Sequence, residues 1–213
     1  MTSLNLYLLR HGETEFSKSG GFCGFLDADL SPEGHQMAAQ FAEAHKDMDW
    51  QAIYCSTLKR AIDTATPLAS AKGIELRRRE GLKEINYGSW EGLTHAFVKE
   101  KYAEDYSRWT AEPGWNAPTG GESAFQIAER AMNVVSEILN QYKSGNVLVV
   151  SHKATIRIIL CSLLGIELGR YRDRINILSA SLSCIKFSEH GPMLEMVNDR
   201  SYLSNDLRDR VGT

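Results

Sequence analysis

Short apolar runs that stop abruptly at charged or small polar residues alternate along this chain with longer stretches of helical spacing. Residues 4–9 (LNLYLL) form the first such run and end in Arg10-His11-Gly12, the pattern of a buried strand feeding a loop. Ser31-Pro32-Glu33-Gly34 opens a helix, with Ser31 as N-cap and Pro32 at the first helical position, and its periodicity runs to about residue 46. Residues 52–55 predict a second short strand. Ser56 and Thr57 then stand where they would cap a helix that carries Arg60 in its first turn and ends near Gly73. Residues 74–78 predict a third strand, and 84–92, with Gly88 and Gly92 around Trp90, a loop. Residues 94–109 read as helical, and 112–122 as turns. Helical spacing returns over 123–142 through Ile127, Ala131, Val134, Val135 and Ile138. Residues 147–150 are the clearest strand, with Ser151-His152 at its exit and a helix over 153–164. Residues 181–187 and 193–198 are spaced to pair as a hairpin around Glu189-His190-Gly191. Strands alternating with helices predict an α/β fold of three layers, α/β/α, around a mostly parallel central sheet.

Composition narrows the picture. The 213 residues suit one α/β domain rather than two, and no repeat, low-complexity tract or Pro/Ser-rich linker divides them. A single domain over 1–213 is expected. A net charge of −3 gives no basic footprint for nucleic acid or anionic lipid. The apolar run 156–164, interrupted by Arg157, is too short to span a bilayer. The first ten residues lack a secretion signal's basic start and cleavage pattern, and read instead as a first strand. Cys23, Cys55, Cys161 and Cys184 have no C-x-x-C spacing, which speaks against a disulfide framework or a zinc site. A cytoplasmic protein without a cofactor or a metal is expected, and a homodimer is compatible with all of this.

The candidate chemistry lies at strand exits. His11 and His152 each directly follow an apolar strand, and in open α/β sheets the crevice beyond the carboxyl ends of strands is the usual ligand site. A third exit, Tyr54-Cys55-Ser56, leads to Arg60 one turn into a helix, where N–H groups and a guanidinium can both face an anion. Two histidines and two arginines, Arg10 and Arg60, at three strand ends suit a phosphoryl group. An uncharged imidazole can attack phosphorus while arginines spread the charge of the equatorial oxygens.

Beyond this local reading, residues 9–15 (LRHGETE) resemble the R-H-G-E-[ST] signature of the histidine phosphatase superfamily, the phosphoglycerate mutase-like proteins. Residues 24–34 (GFLDADLSPEG) are similar to the family's G-x-x-D-x-x-L-[ST]-x-x-G segment, and 56–65 (STLKRAIDTA) to its S-x-L-x-R-A-x-x-T-A motif. Residues 84–92 (EINYGSWEG) resemble its acid-donor loop, Gly120-Gly121-Glu122-Ser123 its G-G-E-S helix start, and 149–152 (VVSH) its second-histidine strand. The six segments occur in family order over roughly the first four-fifths of the chain.

This resemblance implies a phosphoglycerate mutase-like fold and a set of roles. His11 would be the nucleophile that becomes phosphohistidine. Arg10, Arg60 and His152 would form the phosphate pocket, with His152 stabilising the transferring group. Glu84 would protonate the leaving alkoxide and then act as base toward water. One departure stands out: six residues after the nucleophile the family often has Asn, commonly after Trp, and here the pair is Phe16-Ser17. Ser17 would take that phosphate contact with a shorter reach. Cys23 and Gly24, beside the Gly20-Gly21 pair, would approach the substrate. Tyr87 and Trp90 read as packing residues, Arg77-Arg78-Arg79 as a solvated strand end, and Glu13 either as a further acid or as an orienter of its loop. His35, His45, His95 and His190 receive no role.

Relatives of this kind include mutases, which resemble longer chains with an extended insertion after the acid-donor loop and a tail that shields phosphohistidine from water. Here the cap-like insertion, about 92–121, is short, and the tail after Asn198 is brief and polar, so hydrolysis is expected. The segments around Arg108-Trp109 and 198–203 are similar to those of small-metabolite phosphatases, metal-independent phosphoserine phosphatase among them. The expected substrate is a small phosphomonoester, with phosphoserine or a sugar phosphate favoured. A mutase-type transfer and a non-catalytic phospho-ligand binder are the alternatives.

Overall fold

The computed structural model describes residues 3–210; the outermost residues of the expected 1–213 domain, including the start of the first strand reading, lie outside the described residues. In chain order the strands are β1 (Leu4–Arg10), β2 (Trp50–Ser56), β3 (Leu76–Arg79), β4 (Gly145–Ser151), β5 (Leu182–Ser188) and β6 (Gly191–Asp199). The helices are α1 (Glu15–Ser19), α2 (Pro32–His45), α3 (Lys59–Lys72), α4 (His95–Lys101), α5 (Ala103–Ala111), α6 (Ala124–Gln141), α7 (Lys153–Leu164), α8 (Tyr171–Arg174) and α9 (Asn205–Arg208). The strands form one six-stranded sheet in the order β3-β2-β4-β1-β5-β6. β3, β2, β4 and β1 run parallel, and β5 and β6 continue the sheet antiparallel as the expected hairpin.

Both faces of this sheet are covered, which is why its central strands read as continuous apolar runs rather than as alternating ones. Successive side chains on a strand point to opposite faces. Leu6, Leu8, Val147 and Val149 therefore pack with Ile127, Ala131 and Val135 of α6 and Ile156, Ile159 and Leu160 of α7. Leu9, Leu148 and Val150 pack on the other face with Phe41 of α2 and Ala61, Ala65 and Leu68 of α3. Cys55, Cys161 and Cys184 are buried free thiols, as expected of small apolar residues, and burial pushes each up to about 11. Among the described residues no helix is long and apolar enough to cross a membrane.

Several local expectations change in the folded chain. Ser56 and Thr57 do not cap α3. Its N-cap is Leu58, without a side-chain cap, and the Lys59 N–H donates instead to Asp27 Oδ1 at 2.7 Å, so a remote loop satisfies the helix start. The helical reading of 94–109 divides at Tyr102 into α4 and α5. Helices α1, α8 and α9 are short pieces whose patterns fall below the length at which periodicity is legible. The arginine run is less solvated than its sequence suggests. Arg79 pairs with Glu137 at 2.6 Å, and both Arg77 and Arg79 lie over the Tyr54 ring.

Candidate active site

The in-phase pairing of β1 with β4 sets Arg10 beside Ser151, so the two residues that follow, His11 and His152, emerge side by side. The His11 N–H donates to Ser151 O at 3.0 Å, and the two rings lie 5.1 Å apart at 57°. Next to them β2 ends at Ser56, whose Oγ lies 2.8 Å from His152 Nε2. The three strand exits singled out in the sequence thus converge at one sheet edge.

A cavity of about 390 Å³ opens there. Arg10, His11, Ser17, Cys23, Gly24, Arg60 and Glu84 all line it, whereas His152 is fully buried behind His11 and is not part of the wall. Its Nδ1 is buried without a hydrogen-bond partner. Among the described residues, no group of three or more His, Cys, Asp or Glu side chains is arranged to hold a metal ion.

His11 is prepared as a neutral base. Its Nδ1 lies 2.7 Å from Gly12 O, and because a carbonyl only accepts, that nitrogen carries the ring proton. The lone pair of the neutral ring is then on Nε2. Burial, reinforced by the Arg60 and Arg10 guanidiniums, holds the His11 imidazole well below its ordinary value, with the Gly12 contact opposing. Desolvation is the larger cause. His152 is lowered in the same way, by burial first and then by Arg60 and His11.

Arg60 is held from two sides. Its Nη1 donates to Leu26 O at 2.8 Å and its Nη2 to Gly24 O at 2.7 Å, which anchors the glycine-rich loop to the pocket. Gly24 has φ +51°, and a Cβ there would sit 2.2 Å from Glu91 Oε1, so a side chain here would strain the backbone and displace the Glu91 carboxylate. Thr64 ties α3 to the histidine loop, accepting from Gly12 N–H at 2.9 Å and donating to Arg60 O at 2.7 Å. Arg10 Nη1 donates to Ile177 O at 2.9 Å, and burial brings the guanidinium down to about 10.

Glu84 is buried at the start of α7. Its carboxylate accepts from Ile85 N–H at 3.0 Å, from Ala154 N–H at 3.2 Å and from Thr155 N–H at 3.3 Å. A bridge missed in the sequence fixes this loop. Arg130 on α6 donates to the carbonyls of Gly81, Lys83 and Glu84 and pairs with Glu122, whose Oε2 accepts from Asn86 N–H. Glu122 of the Gly-Gly-Glu-Ser segment is therefore a scaffold for the Glu84 loop, while Ser123 closes a capping box with Gln126.

Ser17 lines the cavity from α1, but its hydroxyl also serves the chain itself: Oγ accepts from Thr14 N–H at 2.7 Å and donates to Thr14 O at 2.9 Å. Glu13 proves to be the orienter of its loop. Its carboxylate accepts from Ser31 Oγ at 2.9 Å and pairs with Arg210 at 2.9 Å, and its carbonyl accepts from Ser31 N–H. Burial pushes the Glu13 carboxyl up, and the Arg210 and Ser31 hydrogen bonds outweigh this and hold it below the ordinary value.

The cavity wall also holds residues to which the sequence reading gave no binding role: Tyr87, His95, Trp109, Lys153, Arg157, Tyr171, Arg172 and Asp173. Phe22, Trp90, Val98 and Trp109 form a small aromatic core beneath this wall, so that Trp90 packs, as expected, while Tyr87 both packs and faces the cavity. His95, which received no role, rests against Phe22 with ring centroids 4.2 Å apart. One signal was available. Arg157 interrupts an otherwise apolar helix, and a charge in that register needs a polar cavity to face.

A family model described as the histidine phosphatase superfamily (branch 1) matches residues 6–200. The chain is 34% identical over 200 residues to phosphoserine phosphatase 1 of Hydrogenobacter thermophilus, covering 94% of each chain. It is 31% identical over 203 residues to the metal-independent phosphoserine phosphatase of Arabidopsis thaliana, covering 94% of this chain and 83% of that one. The solved structure of a mycobacterial glucosyl-3-phosphoglycerate phosphatase superposes with a TM-score of 0.84 at 27% identity, over 92% of this chain and 99% of that chain.

Proposed function

Because the chain belongs to the histidine phosphatase superfamily, we propose that it hydrolyses a small phosphomonoester, phosphoserine or a sugar phosphate, through a phosphohistidine on His11 and without a metal. The observation that carries this reading is the His11 ring itself: neutral by burial, with its one proton committed to Gly12 O, and set in a cavity with Arg10, Arg60 and Glu84.

In the first step His11 Nε2 forms a bond to phosphorus as the ester P–O bond breaks, and Glu84 gives its proton to the departing oxygen, releasing the alcohol. In the second, Glu84 takes a proton from water, the water oxygen bonds to phosphorus, and the N–P bond breaks. Inorganic phosphate leaves and both groups return to their starting states. Arg10 and Arg60 neutralise the equatorial oxygens throughout, the service a cation would otherwise perform. His152, against His11 and with Nδ1 unpartnered, supports the ring from behind and can share the developing charge.

Hydrolysis rather than transfer to a second hydroxyl is supported by the C-terminal segment. Leu203 and Leu207 pack with Met37 and Ala180, Arg210 is held at Glu13, and none of residues 200–210 lines the cavity. The substrate preference rests on the relatives named phosphoserine phosphatase and on the size of the cavity. A panel of phosphorylated metabolites read by phosphate release tests it; release from none of them, with or without a divalent cation, would overturn the proposal.

A further inference from the structure

The phosphoryl groups account for only part of the charge in the cavity. Five cationic side chains line it, Arg10, Arg60, Lys153, Arg157 and Arg172, against two carboxylates, Glu84 and Asp173. Asp173 is exposed and already pairs with Arg170 at 3.3 Å. A phosphomonoester dianion held by Arg10 and Arg60 leaves three cations facing the leaving group.

Those three are not neutralised by the fold. Among the described residues none of Lys153, Arg157 and Arg172 forms an ion pair with a carboxylate, and Arg157 Nε is buried without a partner. Arg172 lies instead over the Trp109 ring, its Cζ 3.9 Å from the centroid. Lys153 and Arg157 stand four residues apart, on one face of α7, between the buried side chains of Ile156, Ile158 and Ile159. Burial, with Arg10, Arg157 and Arg172 adding repulsion and Glu84 opposing, brings the Lys153 ammonium down to about 8. Cations crowded and desolvated in this way raise the free energy of the empty site, and an anion placed among them offsets that cost.

We infer that Lys153, Arg157 and Arg172 form a second anion subsite that binds a carboxylate on the leaving alcohol, so that the substrate is the phosphate ester of a small hydroxy acid. A planar guanidinium fork matches a carboxylate in two parallel hydrogen bonds, and two of the three cations are guanidiniums. Tyr87, Trp109 and Tyr171 complete that wall with aromatic surface suited to a short carbon skeleton. The inference rests on the phosphatase reading for the placement of the ester, and it adds what selects the alcohol.

The test compares matched pairs on the full chain. Phosphoserine is set against O-phosphoethanolamine, and 3-phosphoglycerate against glycerol 3-phosphate; the members of each pair differ by the carboxylate. The carboxylated member should have kcat/KM higher by about tenfold or more, chiefly through KM. Lys153→Met and Arg172→Met should each lower the ratio of kcat/KM for the carboxylated ester to that for p-nitrophenyl phosphate by about tenfold, and Lys153→Arg should restore much of it. Calorimetry with non-hydrolysable phosphonates separates binding from turnover: 2-amino-4-phosphonobutyrate should bind more tightly than 3-aminopropylphosphonate. Equal binding of the two phosphonates, an unchanged ratio in both Met variants, or a preference for fructose 1,6-bisphosphate over every carboxylated ester would overturn the subsite. Absence of phosphate release from all esters would instead overturn the phosphatase reading, and the phosphonate pair would still decide the subsite.

Discussion

Gly12 and Gly34 meet backbone to backbone where the histidine loop crosses the start of α2. A Cβ on Gly12 would lie 2.5 Å from Gly34 O, and a Cβ on Gly34 would lie 2.1 Å from Glu13 O. The neighbouring Ser31 N–H donates to the same Glu13 carbonyl at 2.8 Å, so this contact fixes the residues flanking His11 onto the first turn of a fourteen-residue helix.

Gly34→Ala follows directly from that contact. In a helix the change from Gly to Ala ordinarily stabilises by about 1 kcal/mol. Here the methyl group meets a backbone oxygen that cannot rotate away, and overpacking of this kind costs about 1–3 kcal/mol. The clash wins. A lower Tm and a reduced kcat are expected together, because the displaced segment carries His11; an unchanged Tm would contradict the close approach.

His11→Ala should reduce phosphate release by roughly three to six orders of magnitude, since among the described residues the other imidazole lining the cavity, His95, is packed against Phe22. The wild-type chain quenched during turnover should carry acid-labile, base-stable phosphate, and the variant none. Phosphoenzyme in the variant would move the nucleophile elsewhere.

Glu84→Gln removes the transferable proton while preserving the size of the side chain. The loss in kcat/KM should grow as the leaving alcohol becomes more basic, from modest with p-nitrophenol to about a hundredfold or more with an alkyl alcohol. A series of esters graded by leaving-group pKa measures this. A uniform loss across the series would mean that Glu84 serves the fold, through the α7 N–H groups it accepts from, and not the proton transfer.

His11 and His152 should make stability depend on pH on the acid side. Both are held well below their ordinary value in the folded chain, by burial first and then by Arg60. Unfolded imidazoles titrate near ~6.5, so below that pH the unfolded state binds more protons and stability falls as the pH falls toward the folded values. Each histidine contributes a slope of up to about 1.4 kcal/mol per pH unit. Denaturant unfolding of wild type and His11→Ala between pH 5 and pH 8 should show a shallower acid slope in the variant, and superimposable slopes would refute the buried neutral histidine.

Treatment with EDTA should leave phosphate release unchanged, because the proposed mechanism neutralises the phosphoryl charge with Arg10 and Arg60, which line the cavity with His11. Loss of activity restored by Mg²⁺ would require a different account of how the phosphoryl charge is neutralised.

Much of this was legible before any coordinates. The apolar run of residues 4–9 and that of 147–150 are strong signals because a strand covered on both faces must be apolar throughout, and a residue that follows such a run stands at the sheet edge. Ser31-Pro32 marked its helix correctly because cap chemistry is local. Ser56-Thr57 did not, because the Lys59 N–H at the start of α3 is met by Asp27, a partner thirty-two residues away.

The sequence by itself determined the strand and helix alternation, the placement of His11 and His152 at strand ends, and the motif order that points to phosphoryl chemistry, all of which depend on neighbours along the chain. Tertiary structure alone decided the rest. It brought Lys153, Arg157 and Arg172 to one cavity, placed His152 behind His11 instead of in that cavity, and made Arg130 and Glu122 the support of Glu84. These depend on how far apart two backbones lie and on which groups lose water together, and a linear pattern carries neither quantity.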